Sequence, residues 1–311
     1  MISVIVPVFN EEKNLRTLFE RIVNSLKTTG SEFEIIYIND GSRDNSLSVI
    51  KHLANQYSYV KFINFSRNFG HQIAVSAGLD MCSGSQAVII DADGQDPPEL
   101  IPELYNKLNE GYEIVFARRN KRKGESIFKK LTAKIFYRIL SSLTSVDIPL
   151  DTGDFRIINR KVIEQIKKMP EKQKFLRGQM AWLGFRQASV EYNRDERLNG
   201  KTGYTIRKML RLATDGITSF SNFPLRLATI SGFLCAFAGF LLILYTLYSR
   251  FILKDYEKGW SSLMITIIFL GGIQLIGIGI IGEYISRIYD NIRNRPLYIV
   301  DETNIDIGEK R

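Results

Sequence analysis

The sequence predicts an α/β fold, a mostly parallel sheet with helices on both faces, followed by a C-terminal hairpin of two membrane-spanning helices. Short β-branched apolar runs alternate with helical patterns from residue 2 to residue 117, and this alternation is typical of a parallel sheet. Polar residues follow each apolar run directly, and two long uncharged stretches lie near the C-terminus. These three observations predict the fold class.

Five strands and the helices between them can be placed in order. The strands are predicted at residues 2–8, 33–38, 60–65, 87–90 and 112–117. The helix after the first strand is the clearest, because apolar residues recur at helical spacing from Leu15 to Leu26. Further helices are predicted over about residues 44–56, up to Met81, and from Pro98 onward. Every strand is therefore linked to the next by a helix, as parallel strands require.

The fourth strand ends abruptly in Asp91-Ala92-Asp93, and a helix start follows at Asp96-Pro97-Pro98-Glu99. Ligands of open α/β sheets bind beyond the carboxyl ends of the strands. Two carboxylates one residue apart can share a hard divalent cation with phosphate oxygens, although an isolated pair of this kind is more often solvated loop acid. Asp96 fits an N-cap box and can be purely structural. The same rim is expected to hold Asn10-Glu11, Asn39-Asp40, Arg67-Asn68 and Arg118.

Composition narrows the class of protein. The formal net charge is +9, from 42 Lys and Arg against 33 Asp and Glu, which favours an anionic partner. Nine of these cations lie between residues 118 and 138, against the single acid Glu125. Cys82 and Cys235 form no zinc or disulfide pattern, and a chain with two histidines excludes a multi-histidine metal site. The N-terminus lacks the features of a signal peptide.

Two stretches without any charge, Leu227–Ser249 and Gly259–Gly282, each exceed the roughly 20 residues that span a bilayer. We predict a cytoplasmic domain over residues 1–225, a membrane region over 226–290 with helices at about 227–249 and 260–282, and a cytoplasmic tail over 291–311. Cations are more frequent before and after the hairpin than in its loop, which favours cytoplasmic ends. A buried core helix is the alternative for each stretch.

Two amphipathic helices are predicted beside the membrane, at about residues 124–145 and 204–221. In the first, apolar residues repeat every four positions from Ile127 to Leu143 with lysines around them, which is typical of an interfacial helix; packing on the sheet is the alternative. The sequence Gly277–Gly282 reads G-x-G-x-x-G but lies in an apolar span, so it predicts close helix packing, facing Gly232 and Gly239, rather than a dinucleotide site.

Two further segments are locally ambiguous. Asp151-Thr152-Gly153-Asp154 follows Pro149 and is typical of a turn. Gly200 and Gly203 flank Lys201, so backbone and ammonium can approach an anion closely; a solvated surface loop fits equally well.

Five motifs, in this order and spacing, resemble family 2 glycosyltransferases of GT-A fold: Val6-Pro7-Val8-Phe9-Asn10-Glu11, Asn39-Asp40-Gly41-Ser42, Arg67-Asn68-Phe69-Gly70-His71-Gln72, Asp91-Ala92-Asp93 through Pro98, and Gly153-Asp154-Phe155-Arg156. More narrowly, the chain resembles the bacterial polyprenyl-phosphate (bactoprenol) glucosyltransferases, relatives of dolichyl-phosphate mannose synthase, from residue 2 to about residue 296. The fold that this resemblance implies is a GT-A nucleotide-diphospho-sugar transferase domain.

The resemblance implies an inverting transfer of a hexose from a nucleotide sugar, UDP-glucose, to undecaprenyl phosphate on the cytoplasmic face of the bacterial inner membrane, for cell-envelope glycan modification. It also implies Mg²⁺ or Mn²⁺ as cofactor, a homo-oligomer (a tetramer), and no nucleic-acid partner.

The implied nucleotide-sugar residues are Pro7, Phe9, Glu11, Asp40, Ser42, Asp91, Ala92 and Asp93. The implied metal ligands are Asp91, Asp93 and Gln95, and the implied catalytic residues are Asp154, Asp93 and Arg156. The implied acceptor residues are Arg118, Arg122, Lys129, Arg197 and Lys201.

The chain departs from the family pattern at three places. Asn39 replaces the first acid of Asp-Asp-Gly-Ser, Gly94 replaces the leucine of Asp-Ala-Asp-Leu, and the loop around Lys201 differs from the usual Gly-Glu-Ser-Lys-Tyr. For Asp154 two roles stay open. A phosphate monoester is largely dianionic at neutral pH, so Asp154 acts either as a general base or by orienting the sugar or an arginine.

Other functions fit the sequence less well. A processive polysaccharide synthase should carry Q-x-x-R-W, but Gln179-Met180-Ala181-Trp182 lacks the arginine, and two spans are few for a polymer channel. A non-catalytic membrane-anchored sugar-nucleotide sensor is the alternative from another class, and loss of the acids at 91, 93 or 154 would favour it. Bulk charge alone suggests a nucleic-acid binder, without a recognised motif.

Overall fold

A computed structural model describes residues 1–119, 152–192, 223–248, 251–252 and 259–306. Its strands are β1 (Ile2–Val8), β2 (Phe33–Asn39), β3 (Val60–Phe65), β4 (Gln86–Ile89), β5 (Ile114–Arg119), β6 (Thr152–Asn159), β7 (Gln187–Tyr192) and β8 (Val300–Thr303). Its helices are α1 (Leu15–Lys27), α2 (Ser46–Gln56), α3 (His71–Met81), α4 (Ile101–Asn109), α5 (Arg160–Lys167), α6 (Leu176–Trp182), α7 (Phe223–Tyr248) and α8 (Trp260–Ile292). The predicted interfacial helices lie outside the described residues.

The strands form one sheet in the order β7-β5-β6-β4-β1-β2-β3-β8. Strands β4, β1, β2 and β3 are mutually parallel, and β5 is parallel to β7. Strand β6 is antiparallel to β4 and β5, and β8 is antiparallel to β3. The predicted α/β fold with a mostly parallel sheet is confirmed, because each parallel neighbour in the first half is reached through a helix.

Two apolar cores, one on each face of the sheet, hold the domain together. Val4, Val6 and Val8 of β1 face the core that α1, α2 and α4 cover, whereas Ile5 faces the core under α3, α5 and α6. This follows from the alternation of side chains along a strand. All the apolar residues that predict α1 are buried, and full burial of each such side chain contributes roughly 1.5–3 kcal/mol.

The segment around Asp154 is a strand, so the expectation of a turn is wrong. Residues 152–159 form β6 and pair with both β4 and β5. Phe155, Ile157 and Ile158 are fully buried, and this apolar run can fill both faces of an internal strand. The local turn signal of Gly153 and Asp154 is therefore overridden by pairing with two neighbours.

The predicted C-terminal tail contains a strand, because β8 returns from the hairpin to the edge of the sheet beside β3. Tyr298 stacks on Phe65 with ring centroids 5.1 Å apart. The Asn304 amide accepts from the Phe62 N–H at 2.8 Å and donates to the Val60 carbonyl at 3.1 Å. Without β8 these backbone groups would belong to an uncovered edge strand.

Replacing Asn304 with alanine should lower the free energy of unfolding by about 1–3 kcal/mol, because two edge hydrogen bonds are lost. The matched control Glu302→Ala removes an exposed ion pair with Lys51 and should cost less than about 1 kcal/mol. Thermal unfolding of the detergent-solubilised protein, followed by circular dichroism, compares the two. Equal shifts would show that Asn304 does not stabilise this edge.

Helices α7 and α8 are long and apolar enough to cross a membrane, as their candidate spans Phe223–Leu241 and Phe269–Ile292 show. Large apolar side chains on them, such as Phe233 and Leu275, are 75% and 70% exposed. Helix α8 has 33 residues and is therefore about 50 Å long, longer than the roughly 30 Å hydrocarbon layer. The predicted close packing of the hairpin glycines is wrong within the described chain: an added Cβ would meet nothing within 4 Å at Gly232, Gly239, Gly277 or Gly279.

Candidate active site

Two acids meet at the carboxyl edge of the sheet because β6 runs antiparallel to β4. Ile89 pairs with Arg156, and continuing this register by two residues brings Asp154 beside Asp91. Directly opposite residues of an antiparallel pair project on the same side. The Asp91 and Asp154 carboxylates and the His71 imidazole offer three ligand atoms that all lie within 4.8 Å of one another. We refer to these three residues as the His71 cluster.

His71 is the first residue of α3 and follows the left-handed Gly70 (φ 107°). Its Nε2 lies 3.0 Å from Asp154 Oδ2 and 3.6 Å from Asp91 Oδ1. Burial works against protonation of the ring, but the Asp91 and Asp154 carboxylates outweigh it and raise the pKa of His71 to about 9. At neutral pH the ring is thus a cation between two carboxylates.

Asp154 is surrounded by donors. Besides His71, Arg177 Nε donates to Asp154 Oδ1 at 2.8 Å, and Gln72 Nε2 donates to Asp154 Oδ2 at 3.2 Å. Burial alone would raise the pKa of this carboxyl, but Arg177 and His71 hold it well below the usual range. A carboxylate with a depressed pKa is a weak proton acceptor, so this environment favours an orienting role over a general base.

Asp91 has a different environment from Asp154. Burial raises the pKa of Asp91 to about 6, against the opposing effect of protonated His71. Its Oδ1 is buried and has no hydrogen-bond partner among the described residues. An unsatisfied buried carboxylate oxygen costs free energy unless a cation or donor meets it.

The residues of the His71 cluster fit a divalent cation. Carboxylate oxygens suit Mg²⁺ and Mn²⁺, and Asp91 Oδ1, which has no hydrogen bond among the described residues, lies 3.6 Å from His71 Nε2 in this group. Imidazole also ligates Mn²⁺, but His71 must first lose its proton. The cluster shares Asp91 with the predicted metal set and does not include Asp93.

The loop after β4 explains one departure from the family pattern. Gly94 has φ +72°, a left-handed conformation that costs a residue with a side chain roughly 1–2 kcal/mol. Asp93 Oδ1 accepts from the backbone N–H of Gln95 at 3.1 Å, which closes the turn, and Ala92 is buried. Asp96 is fully buried and hydrogen-bonded to the Tyr192 hydroxyl.

The Asp40 side chain holds a neighbouring loop. Its carboxylate accepts from the backbone N–H groups of Phe69 and Gly70 and from Asn68 Nδ2. Burial raises the pKa of Asp40, although those two backbone donors oppose it. Gly41 has φ +66°, and a Cβ there would come within 2.5 Å of the Asn68 backbone nitrogen. The Asn39-Asp40-Gly41 segment thus shapes the 67–70 loop, which leads into His71.

The other predicted donor residues lie at the ends of β1 and β2. The Phe9 ring is 45% exposed, and Pro7 pairs in register with Ile38. Ser42 Oγ accepts from the Asn10 backbone N–H at 3.0 Å, and Glu11 Oε2 accepts from Asn14 Nδ2 at 2.6 Å. The Ser42–Asn10 contact joins the loops after β1 and β2, whereas the Glu11–Asn14 contact is local; because β4 is the other neighbour of β1, the ends of β4, β1 and β2 lie along one edge of the sheet.

The structure locates two of the predicted basic residues. Arg156 is 5% exposed and donates to the Gly153 carbonyl at 2.8 Å; burial lowers its pKa to about 10. Arg156 also donates to the Asp154 carbonyl, so it stabilises the backbone of β6 at both Gly153 and Asp154. Arg118 is exposed at the end of β5, in the strand register opposite Thr152. Arg122, Lys129, Arg197 and Lys201 lie outside the described residues.

Sequence reasoning assigned no role to three residues around Asp154: His71, Gln72 and Arg177. His71 carried a usable signal, because it is one of two histidines and follows the carboxyl end of a strand. Arg177 carries none, because residues 175–192 show neither a clear helical nor a clear strand pattern. Only the packing of α6 beside β6 brings its guanidinium to Asp154.

Comparisons with known proteins bear on this site and on the hairpin. The family model for glycosyl transferase family 2 matches residues 3–167, and the model for the GtrB C-terminal hairpin matches residues 223–288. The first covers β1 through α5 and includes the whole His71 cluster. The second covers α7 and most of α8.

Curated relatives align along nearly the whole chain. The uncharacterized glycosyltransferase YkcC of Bacillus subtilis is 49% identical over 97% of this chain and 93% of its own length. The SfII prophage-derived bactoprenol glucosyl transferase of Shigella flexneri is 41% identical over 97% and 98%. Among solved structures, glucosyl-3-phosphoglycerate synthase of Mycobacterium tuberculosis with Mn²⁺, uridine diphosphate and phosphoglyceric acid is 17% identical, with a TM-score of 0.47 over 70% of this chain and 76% of that one.

Proposed function

Because the chain belongs to glycosyl transferase family 2, we propose that it transfers a glucosyl group from UDP-glucose to a polyprenyl phosphate, undecaprenyl phosphate, with inversion at the sugar carbon. The observation that carries the proposal is the His71 cluster at the carboxyl edge of the sheet in a chain with a GtrB-type hairpin. The bactoprenol glucosyl transferase of Shigella flexneri supports the choice of sugar and acceptor.

The donor is proposed to lie across the ends of β4, β1 and β2. The exposed Phe9 ring offers a face on which a nucleobase can stack, with Pro7, Glu11, Asp40, Ser42 and Ala92 shaping the rim around it. Asp91 and Asp93 face the diphosphate. A bound Mg²⁺ or Mn²⁺ would supply positive charge to the diphosphate leaving group. Asp91 would hold this cation, either with Asp93 and Gln95 or with the other two residues of the His71 cluster.

The acceptor is proposed to approach from the membrane side. Strand β8 pairs with β3 after the hairpin, so both ends of the hairpin return to the side of the catalytic domain. We place that side in the cytoplasm and the protein in the bacterial inner membrane. Arg118, with Arg122, Lys129, Arg197 and Lys201, would hold the lipid phosphate; assembly as a homo-oligomer, a tetramer, is part of the same proposal.

The chain's own residues suit a dianionic acceptor. Because such a phosphate already carries its attacking oxygen unprotonated at neutral pH, transfer needs orientation and charge compensation rather than a base. Arg177 and His71 hold Asp154 ionised and in place. Asp154 can then accept a sugar hydroxyl hydrogen bond while Arg156 braces the backbone behind it.

The proposal is tested by incubating the purified full-length protein with radiolabelled UDP- and GDP-sugars and short-chain polyprenyl phosphate, with EDTA, Mg²⁺ or Mn²⁺. We expect a chloroform-extractable product from UDP-glucose that requires a divalent cation. Hydrolysis of the donor without a lipid product would overturn the acceptor. Nucleotide binding without turnover of any donor would favour a sensor.

A further inference from the structure

The segment between α5 and α6 contacts the hairpin at one end and the active site at the other. At the hairpin end, the Lys172 backbone N–H donates to Asn291 Oδ1 at 3.1 Å, and Lys172 Nζ donates to the Arg295 carbonyl at 2.5 Å. Arg287 donates to Gln173 Oε1. These three contacts seat the C-terminal end of α8 on residues 172–173.

At the other end, the first turn of α6 contacts Asp154 directly through Arg177 and indirectly through Gln72 of α3. Gln72 accepts the Leu176 backbone N–H on its Oε1 at 3.1 Å and donates from its Nε2 to Asp154 Oδ2 at 3.2 Å. Arg177 Nε donates to Asp154 Oδ1 at 2.8 Å. Moving this turn therefore displaces the Arg177 contact to Oδ1 and removes the hydrogen bond that orients Gln72 towards Oδ2.

Two hydrogen bonds stabilise the segment that joins these two ends, one from Lys174 within it and one between residues on either side of it. Lys174 Nζ donates to the Met169 carbonyl at 2.6 Å, and Gln179 Nε2 donates to Glu171 Oε2 at 3.2 Å. Gln179 is 2% exposed, so it anchors the segment in the core. Only two residues, Lys174 and Phe175, lie between Gln173 and Leu176, so these two positions are at most about 11 Å apart. A braced stretch of this length transmits a displacement rather than absorbing it.

We propose that seating of the α8 end on residues 172–173 fixes the first turn of α6, and that Gln72 and Arg177 are positioning residues that hold Asp154 for transfer. The inference rests on the proposed function. It assigns the hairpin a role beyond attachment to the membrane: the active site is fully assembled only when the second membrane helix is docked.

The test removes the docking contacts without touching the active site. The double variant Asn291→Ala/Gln173→Ala loses two acceptors, and Asn291→Asp/Gln173→Glu keeps an acceptor oxygen at both places. We expect the alanine pair to lower kcat by about tenfold, within the range that a small misplacement of reacting groups produces, with an unchanged KM for the donor. The conservative pair should restore kcat. Lys51→Ala is the matched control, since it breaks another contact of the C-terminal segment with the domain.

A second readout follows the position of α6 itself. The chain has two tryptophans, so Trp260→Phe leaves Trp182, the last residue of α6 and 63% exposed, as the single fluorophore. In that background the alanine pair should change acrylamide quenching of Trp182, whereas Lys51→Ala should not.

Wild-type kcat in the alanine pair would overturn the inference, and so would a lower kcat that the conservative pair does not restore. If the wild-type protein makes no lipid product while quenching still shifts, the proposed function fails and the contact between α8 and α6 stands.

Discussion

Asp91→Asn is expected to lower glycosyl transfer by about a thousandfold, equivalent to roughly 4 kcal/mol. The substitution keeps the shape of the side chain but removes the charge of the oxygen that is buried without a hydrogen-bond partner. It also removes one of the two carboxylates beside His71. The measurement is the initial rate of lipid-linked product formation at saturating divalent cation.

The direct test of the Asp91 role is cation binding. Titration with Mn²⁺ followed by electron paramagnetic resonance should show weaker binding in Asp91→Asn than in the wild type. Asp80→Asn is the matched control, because Asp80 lies near the C-terminal end of α3 and accepts from the Tyr298 hydroxyl at 3.2 Å. Equal Mn²⁺ affinity in the wild type and Asp91→Asn would show that the cation binds elsewhere.

Asp154→Asn is expected to lower kcat by about a hundredfold, because the new amide NH₂ must face the donors that now hold the carboxylate, and misplacement of this size is costly. The dependence of the rate on pH should keep its shape between pH 7 and 8, below the pKa of about 9 of His71 in the wild type. In the wild type, Arg177 and His71 keep the pKa of Asp154 well below this window, and the acceptor phosphate is already a dianion. Both enzymes should therefore give flat profiles between pH 7 and 8, and a change towards pH 9 would report the titration of His71.

A rate of Asp154→Asn that rises with pH would instead indicate that Asp154 acts as a general base. If Asp154 accepts a proton in the transition state, hydroxide must replace it in the variant, and the rate of Asp154→Asn should rise about tenfold per pH unit above pH 7. Measuring both enzymes over the same buffers, with the same acceptor, separates the two roles.

Much of the fold follows from local patterns in the sequence. The apolar spacing from Leu15 to Leu26 predicts α1, and all its apolar residues are buried as expected. The uncharged stretches predict the two helices of the hairpin. The acids at 91 and 93 mark the end of a buried strand. These features depend on residues close in the chain, and the resemblance to a family adds their order.

Other features depend on contacts that no local pattern contains. β6 looks like a turn until β4 and β5 pair with it on both sides. The local sequence of β8 does not predict a strand, and its conformation depends on pairing with the edge strand β3. Gly94 looks like a weakened motif until its left-handed backbone conformation is known.

The sequence by itself determined the family, the parallel sheet and the acids at its carboxyl edge, because periodicity and motif spacing are properties of neighbouring residues. Only the tertiary structure decided which groups surround those acids. His71 and Asp154 are 83 positions apart, and Arg177 reaches Asp154 across 23. Such contacts arise from strand register and helix packing, and these in turn set the opposite pKa shifts of Asp91 and Asp154.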